Sequence, residues 1–111
     1  MNTPEISVTD VGALVQAGAV LLDVREDHEW IAGHAPDAMH VPMSRLSERV
    51  GEIPTDRQIV CVCHVGARSA AVASALNNAG FTALNVDGGM DAWVRAGLPV
   101  VTNDGQSGSV V

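Results

Sequence analysis

Two stretches of this chain are apolar almost end to end for the length of a strand. They are AVLLDV (Ala19 to Val24) and QIVCV (Gln58 to Val62). A strand that shows water neither face reads this way, and such strands belong to parallel sheets with helices packed on both sides. The segments between them carry helical spacing. Val11, Leu14 and Val15 fall on one face of a helix that Thr9 caps and Gly18 stops. Asp27 to Ala32 forms a short helix ended at Gly33, and Leu46, Val50 and Ile53 repeat at helical intervals. Ser69 to Asn78 is Ala-rich and helical, and Gly89 to Ala96 is the last helix. Glu5 to Val8, Ala38 to Val41 and Thr82 to Val86 complete a set of about five strands. The alternation predicts an α/β fold with a mostly parallel central sheet.

With 111 residues the chain is sized for one domain, and a single core suffices without a metal or disulfide staple. We assign the domain to residues 1–101. The polar, Gly/Ser-rich ending TNDGQSGSVV, residues 102–111, reads as a flexible tail. A formal net charge of -7 argues against nucleic acid, whose phosphates need a basic footprint. The start, MNTPEISVTD, has no leader pattern and no apolar run is long enough to span a bilayer. No membrane partner is expected, and the chain is placed in the cytoplasm, where thiols stay reduced.

Right-handed crossovers put the strand C-termini on one edge, where open α/β sheets build their sites. The segment CVCHVGARSA, which holds the chain's two cysteines, brings Cys63 to that edge. Cys61 sits between apolar strand residues and reads as a small core hydrophobe. A bridge to Cys63 is disfavoured, because residues two apart in a strand span more than ~6 Å between Cα atoms. The histidines at 28, 34, 40 and 64 make no metal-ligand spacing with the cysteines, so no metal is expected. Cys63 ends its strand and precedes His64, Val65, Gly66, Ala67, Arg68 and Ser69. A glycine-containing strand-to-helix loop can turn backbone N–H groups inward as an anion nest, and the following helix start adds its dipole. With Arg68 nearby, these would lower the pKa of Cys63 and stabilise a negatively charged adduct on its sulfur.

CHVGARS resembles the active-site loop of single-domain rhodanese-like sulfurtransferases, C-x-x-G-x-R-S. LLDVRE (Leu21 to Glu26) resembles the family's Asp-x-Arg strand end. GHAPDAMHVP (Gly33 to Pro42) is similar to its G-H-I-P-G-A segment, with Ala35 in place of isoleucine and Asp37 in place of glycine. GFTALNVDGGMDAWVRAGLPV (Gly80 to Val100) resembles its ending, from G-F to G-G-x-x-x-W-x-x-A-G-x-P-V. The blocks occur in order across roughly residues 5 to 101.

The resemblance implies a three-layer rhodanese-like fold and a thiosulfate sulfurtransferase type of enzyme that needs no cofactor. Cys63 would take the outer sulfur of a donor such as thiosulfate as a persulfide. A thiophilic acceptor, cyanide or a thiol, possibly on a protein, would then remove it. Residues 64–69 would hold the anion, with Asp23 and Arg25 behind them or paired at the surface. Polar residues at the variable loop positions often accompany thiosulfate binding in that family; Val65 leaves one face of the pocket apolar. Two other readings stand beside this one: a persulfide carrier or regulatory binding module acting on a protein partner, and a cysteine phosphatase. Phosphatases place five residues between Cys and Arg, whereas four separate Cys63 from Arg68.

Overall fold

A computed structural model of the protein describes residues 3–111; Met1 and Asn2, the start of the predicted domain, lie outside the described residues. Strands β1 (Glu5–Ile6), β2 (Val20–Asp23), β3 (Met39–His40), β4 (Gln58–Val62) and β5 (Thr82–Val86) form one sheet of order β1-β5-β4-β2-β3. Every pairing is parallel. Helices α1 (Val8–Gln16), α2 (Asp27–Ala32), α3 (Leu46–Arg49) and α4 (Ala67–Asn78) lie between successive strands, and α5 (Gly89–Arg95) follows β5. Among the described residues no helix is long and apolar enough to cross a membrane.

The two apolar runs are the neighbouring inner strands β2 and β4, and alternate side chains feed opposite layers. Leu22, Ile59 and Cys61 pack with Val72 and Leu76 of α4 and with Leu46 of α3. Leu21, Val60 and Val62 pack with Val11 of α1 and with Met90 and Trp93 of α5. Helices therefore cover both faces, as the apolar runs require.

Element ends shift by a residue or two. Ser7, not Thr9, caps α1, its hydroxyl accepting from the Thr9 N–H. Glu26, not Asp27, caps α2 through reciprocal bonds with Glu29. The Leu46–Ile53 helix shortens to α3 between two 3-10 turns. Asp37, standing where the resembling family commonly has glycine, does adopt a left-handed backbone with φ 64°.

Part of the ending predicted as a tail makes backbone bonds to the domain. Val101 exchanges backbone bonds with His34 at 2.8 and 2.9 Å, and the Ser109 N–H donates to Ala32 O at 2.9 Å. Val110 packs into the layer that holds Trp93. Composition read the side chains, but the tail is held by its backbone. Gly33 and Gly108 allow that contact: a Cβ on Gly108 would lie 2.7 Å from the Gly33 Cα.

Candidate active site

The chain leaves β4 at Val62, and the next residue is Cys63, 1% exposed. Three residues later Gly66 takes a left-handed conformation, φ 112°, which turns the chain into α4 two residues earlier than the sequence suggests. That turn aims donors back at the sulfur. The Gly66 N–H lies 3.1 Å from Cys63 Sγ and the Ser69 hydroxyl 3.2 Å. Burial pushes the Cys63 thiol up, but hydrogen bonds from the Ser69 side chain and from the Ser69, Gly66 and Arg68 N–H groups outweigh it. The net effect holds the thiol below its ordinary value. Cys61, two residues back on the same face, has no such donors; burial first, and then the nearby Cys63 charge, push its thiol up to about 12.

The other loop residues divide. Val65 is 62% exposed and stands on the rim with half-buried His64 and exposed Ala67. Ser69 is fully buried and lies against the sulfur. Arg68 does not turn its guanidinium to the thiol. Its two terminal nitrogens donate to the two carboxylate oxygens of Glu29 in α2, at 2.7 and 2.8 Å. Those bonds hold the Glu29 carboxyl down at about 2.

Asp23 and Arg25 are wholly buried, not a surface pair. Arg25 Nη2 donates to Asp23 Oδ2 at 2.8 Å and to Gly33 O at 2.7 Å, tying the end of β2 to the end of α2. The pair contacts the end of α2 and makes no hydrogen bond to the sulfur. His40 donates from Nε2 to Arg25 O at 2.7 Å, and both His34 and His40 stack on Trp30.

Three functional residues escaped sequence reasoning. Glu29 is one; its only signal was a position three after Glu26, which marks a helix start and says nothing of Arg68. Asn85 is the second. It is 1% exposed in β5, with Oδ1 2.5 Å from the Ser69 hydroxyl and Nδ2 donating to Gly66 O at 3.1 Å. A lone amide in the strand TALNV was the available signal, since a buried amide needs partners.

Gly89 is the third, for the sequence marked it only as the start of the last helix. The Met90 and Asp91 N–H groups donate to Cys63 O and His64 O at 2.7 and 3.0 Å, so α5 grips the loop from behind. A Cβ on Gly89 would collide with Cys63 O and lie 2.5 Å from His64 O. With φ 58° at that position, Gly89→Ala is expected to cost about 2–4 kcal/mol from left-handed strain and overlap together. It should also slow Cys63 alkylation about tenfold or more, because the displaced carbonyls carry the donors with them. Thermal unfolding and iodoacetamide kinetics check this; a variant matching wild type in both would exclude the clamp.

The arrangement is a thiol whose ionised form is favoured by backbone N–H groups and one hydroxyl, a geometry suited to attack on sulfur and to holding the charge on a sulfur adduct. Comparison with known proteins points the same way. The rhodanese-like domain family matches residues 7–96. A sulfurtransferase of Allochromatium vinosum is 41% identical over 87 residues, 78% of this chain and 81% of that protein. A thiosulfate sulfurtransferase of Actinobacillus pleuropneumoniae is 32% identical over 100 residues, 88% of this chain and 93% of that protein. A rhodanese-related protein of Thermoplasma volcanium superposes with a TM-score of 0.83 at 33% identity, covering 88% of this chain and 97% of that one.

Proposed function

The chain belongs to the rhodanese-like domain family, and from that premise we propose that it is a sulfurtransferase working through a persulfide on Cys63. One observation carries the reading. A buried thiol is held below its ordinary value by the Ser69 hydroxyl and converging N–H donors, against its own desolvation. Such a cradle serves an ionised sulfur, before and after it gains a second one.

In the first half-reaction the Cys63 thiolate attacks the outer sulfur of a donor. The donor's S–S bond breaks, its electron pair leaves with the donor remainder, and Cys63 carries the persulfide. The N–H groups of residues 66–69 hold the charge. In the second half-reaction an acceptor, cyanide in an assay or a thiol in the cell, takes the outer sulfur and returns the thiolate. The reading assigns this chemistry to residues 1–101 and none to 102–111, and places it in the cytoplasm, where Cys63 stays reduced.

Phosphatase chemistry is not favoured. It needs an arginine facing the anion, and here Arg68 faces Glu29. Intact-protein mass spectrometry tests the proposal: incubation with thiosulfate or an organic persulfide should add the mass of one sulfur, which cyanide then removes. No gain with any sulfane donor would end the reading.

A further inference from the structure

The protein's positive charge is almost fully committed. The sequence has six arginines and no lysine. Among the described residues, Arg25 pairs with Asp23, Arg45 with Asp27, Arg49 with Glu52, Arg68 with Glu29 and Arg95 with Asp91. Arg57 is in no such pair, but it precedes β4 and donates to Gly18 O before β2. In a parallel sheet that is the edge opposite Cys63.

At the loop itself Arg68 is the sole arginine, and both its terminal nitrogens are occupied by a carboxylate that is 9% exposed. Glu26 adds a second negative charge near Arg68. The Gly66 N–H and the Ser69 hydroxyl point at one atom, Cys63 Sγ. That is provision for one anionic sulfur. A dianion such as thiosulfate approaching the thiolate would need a further cation, and freeing Arg68 means breaking a bidentate charged pair. The rim offers something else: the side chain of Val65, 62% exposed.

We propose that the donor this site takes is an organic persulfide, R–S–SH, rather than dianionic thiosulfate, and that Glu29 sets this choice by holding Arg68. The inference rests on the persulfide reading of Cys63. The Cys63 thiolate bonds to the outer sulfur, which keeps its proton. The donor S–S bond breaks and its electron pair leaves as R–S⁻, one negative charge where thiosulfate would release sulfite with two. Val65 meets the R group at the rim.

The test measures second-order loading of Cys63 by thiosulfate and by 2-hydroxyethyl persulfide in wild type, Glu29→Gln and Val65→Arg. All three proteins are compared at one pH and one buffer composition. Glutamine keeps the volume of Glu29 and can still serve the helix cap. The ratio of thiosulfate to persulfide rate constants should rise about tenfold or more in both variants, as a cation is freed or added. In wild type the thiosulfate rate should rise as salt goes from roughly 0.02 to 0.5 M, since screening relieves like-charge repulsion, while the persulfide, at most a monoanion, should respond less. A wild-type thiosulfate rate that falls with salt, or a ratio unchanged in Val65→Arg, would overturn the proposal. Should Glu29→Gln fail to fold, Val65→Arg at the exposed loop tip still decides. If neither donor loads Cys63, it is the underlying sulfurtransferase reading that fails.

Discussion

Cys63→Ser is expected to eliminate the sulfur adduct completely, while Cys61→Ser retains it and lowers stability. The residues lie two apart and belong to the same packing layer, so position along the sheet separates them rather than direction. Cys61 is inside β4 with its backbone paired to both neighbouring strands. Nothing offsets its desolvation, and at about 12 its thiol is neutral throughout the working range. Cys63 has the Gly66 N–H and Ser69 hydroxyl within 3.2 Å. Putting a serine hydroxyl at the 0%-exposed site of Cys61 should cost about 1–3 kcal/mol, since a buried hydroxyl without a partner is penalised. The pH dependence separates the roles further. Alkylation of Cys63 follows its thiolate, so the midpoint should lie below the ordinary thiol value of about 8.5 and move up in Ser69→Ala, which removes a donor to the charged form. Mass spectrometry of the three variants with one donor checks the assignment. A one-sulfur gain surviving in Cys63→Ser would refute it, as would its loss in a folded Cys61→Ser.

Much of this was legible because burial leaves a period in the sequence. The runs at 19–24 and 58–62 announced central strands, and the position of Cys63 after the second run announced an edge site. What periodicity does not encode is the partner. Arg68 stood out as a loop cation, yet the carboxylate that takes it comes from 39 residues away on another helix. Ser69 was assigned to the loop, but its bond to Asn85 depends on β5 lying beside β4. The contacts of residues 102–111 were hidden for a related reason: they include backbone bonds and a glycine–glycine contact, which polarity patterns do not register. Asp23 and Arg25 show the limit most plainly. Their spacing is local and visible, but whether such a pair lies in water or in the core is decided by what packs over it.

That burial makes Asp23→Ala the substitution with the largest expected cost in stability. Both side chains of the pair are 0% exposed, and Arg25 retains no other carboxylate among its bonded partners. Removing Asp23 leaves a guanidinium in the core with one bond to Gly33 O, a loss of about 3–5 kcal/mol. Against a total of about 5–15 kcal/mol this approaches unfolding, and a domain of this size should lose roughly 15–30 °C in Tm. The pair itself is not an optimised source of stability, for Arg25 Nη1 is buried with no hydrogen-bond partner. A double variant, Asp23→Leu with Arg25→Met, should therefore recover most of the lost stability, because apolar residues of similar volume often replace a buried ion pair at little cost. It should not recover reactivity. The Arg25 bond to Gly33 O fixes the end of α2, α2 carries Glu29, and Glu29 holds Arg68, whose own N–H faces the Cys63 sulfur. Melting curves and iodoacetamide rates on the two variants separate the two roles. A double variant as unstable as the single one would show that the penalty is not an uncompensated charge. A double variant with wild-type alkylation would show that the Arg25–Gly33 bond is not what positions the loop.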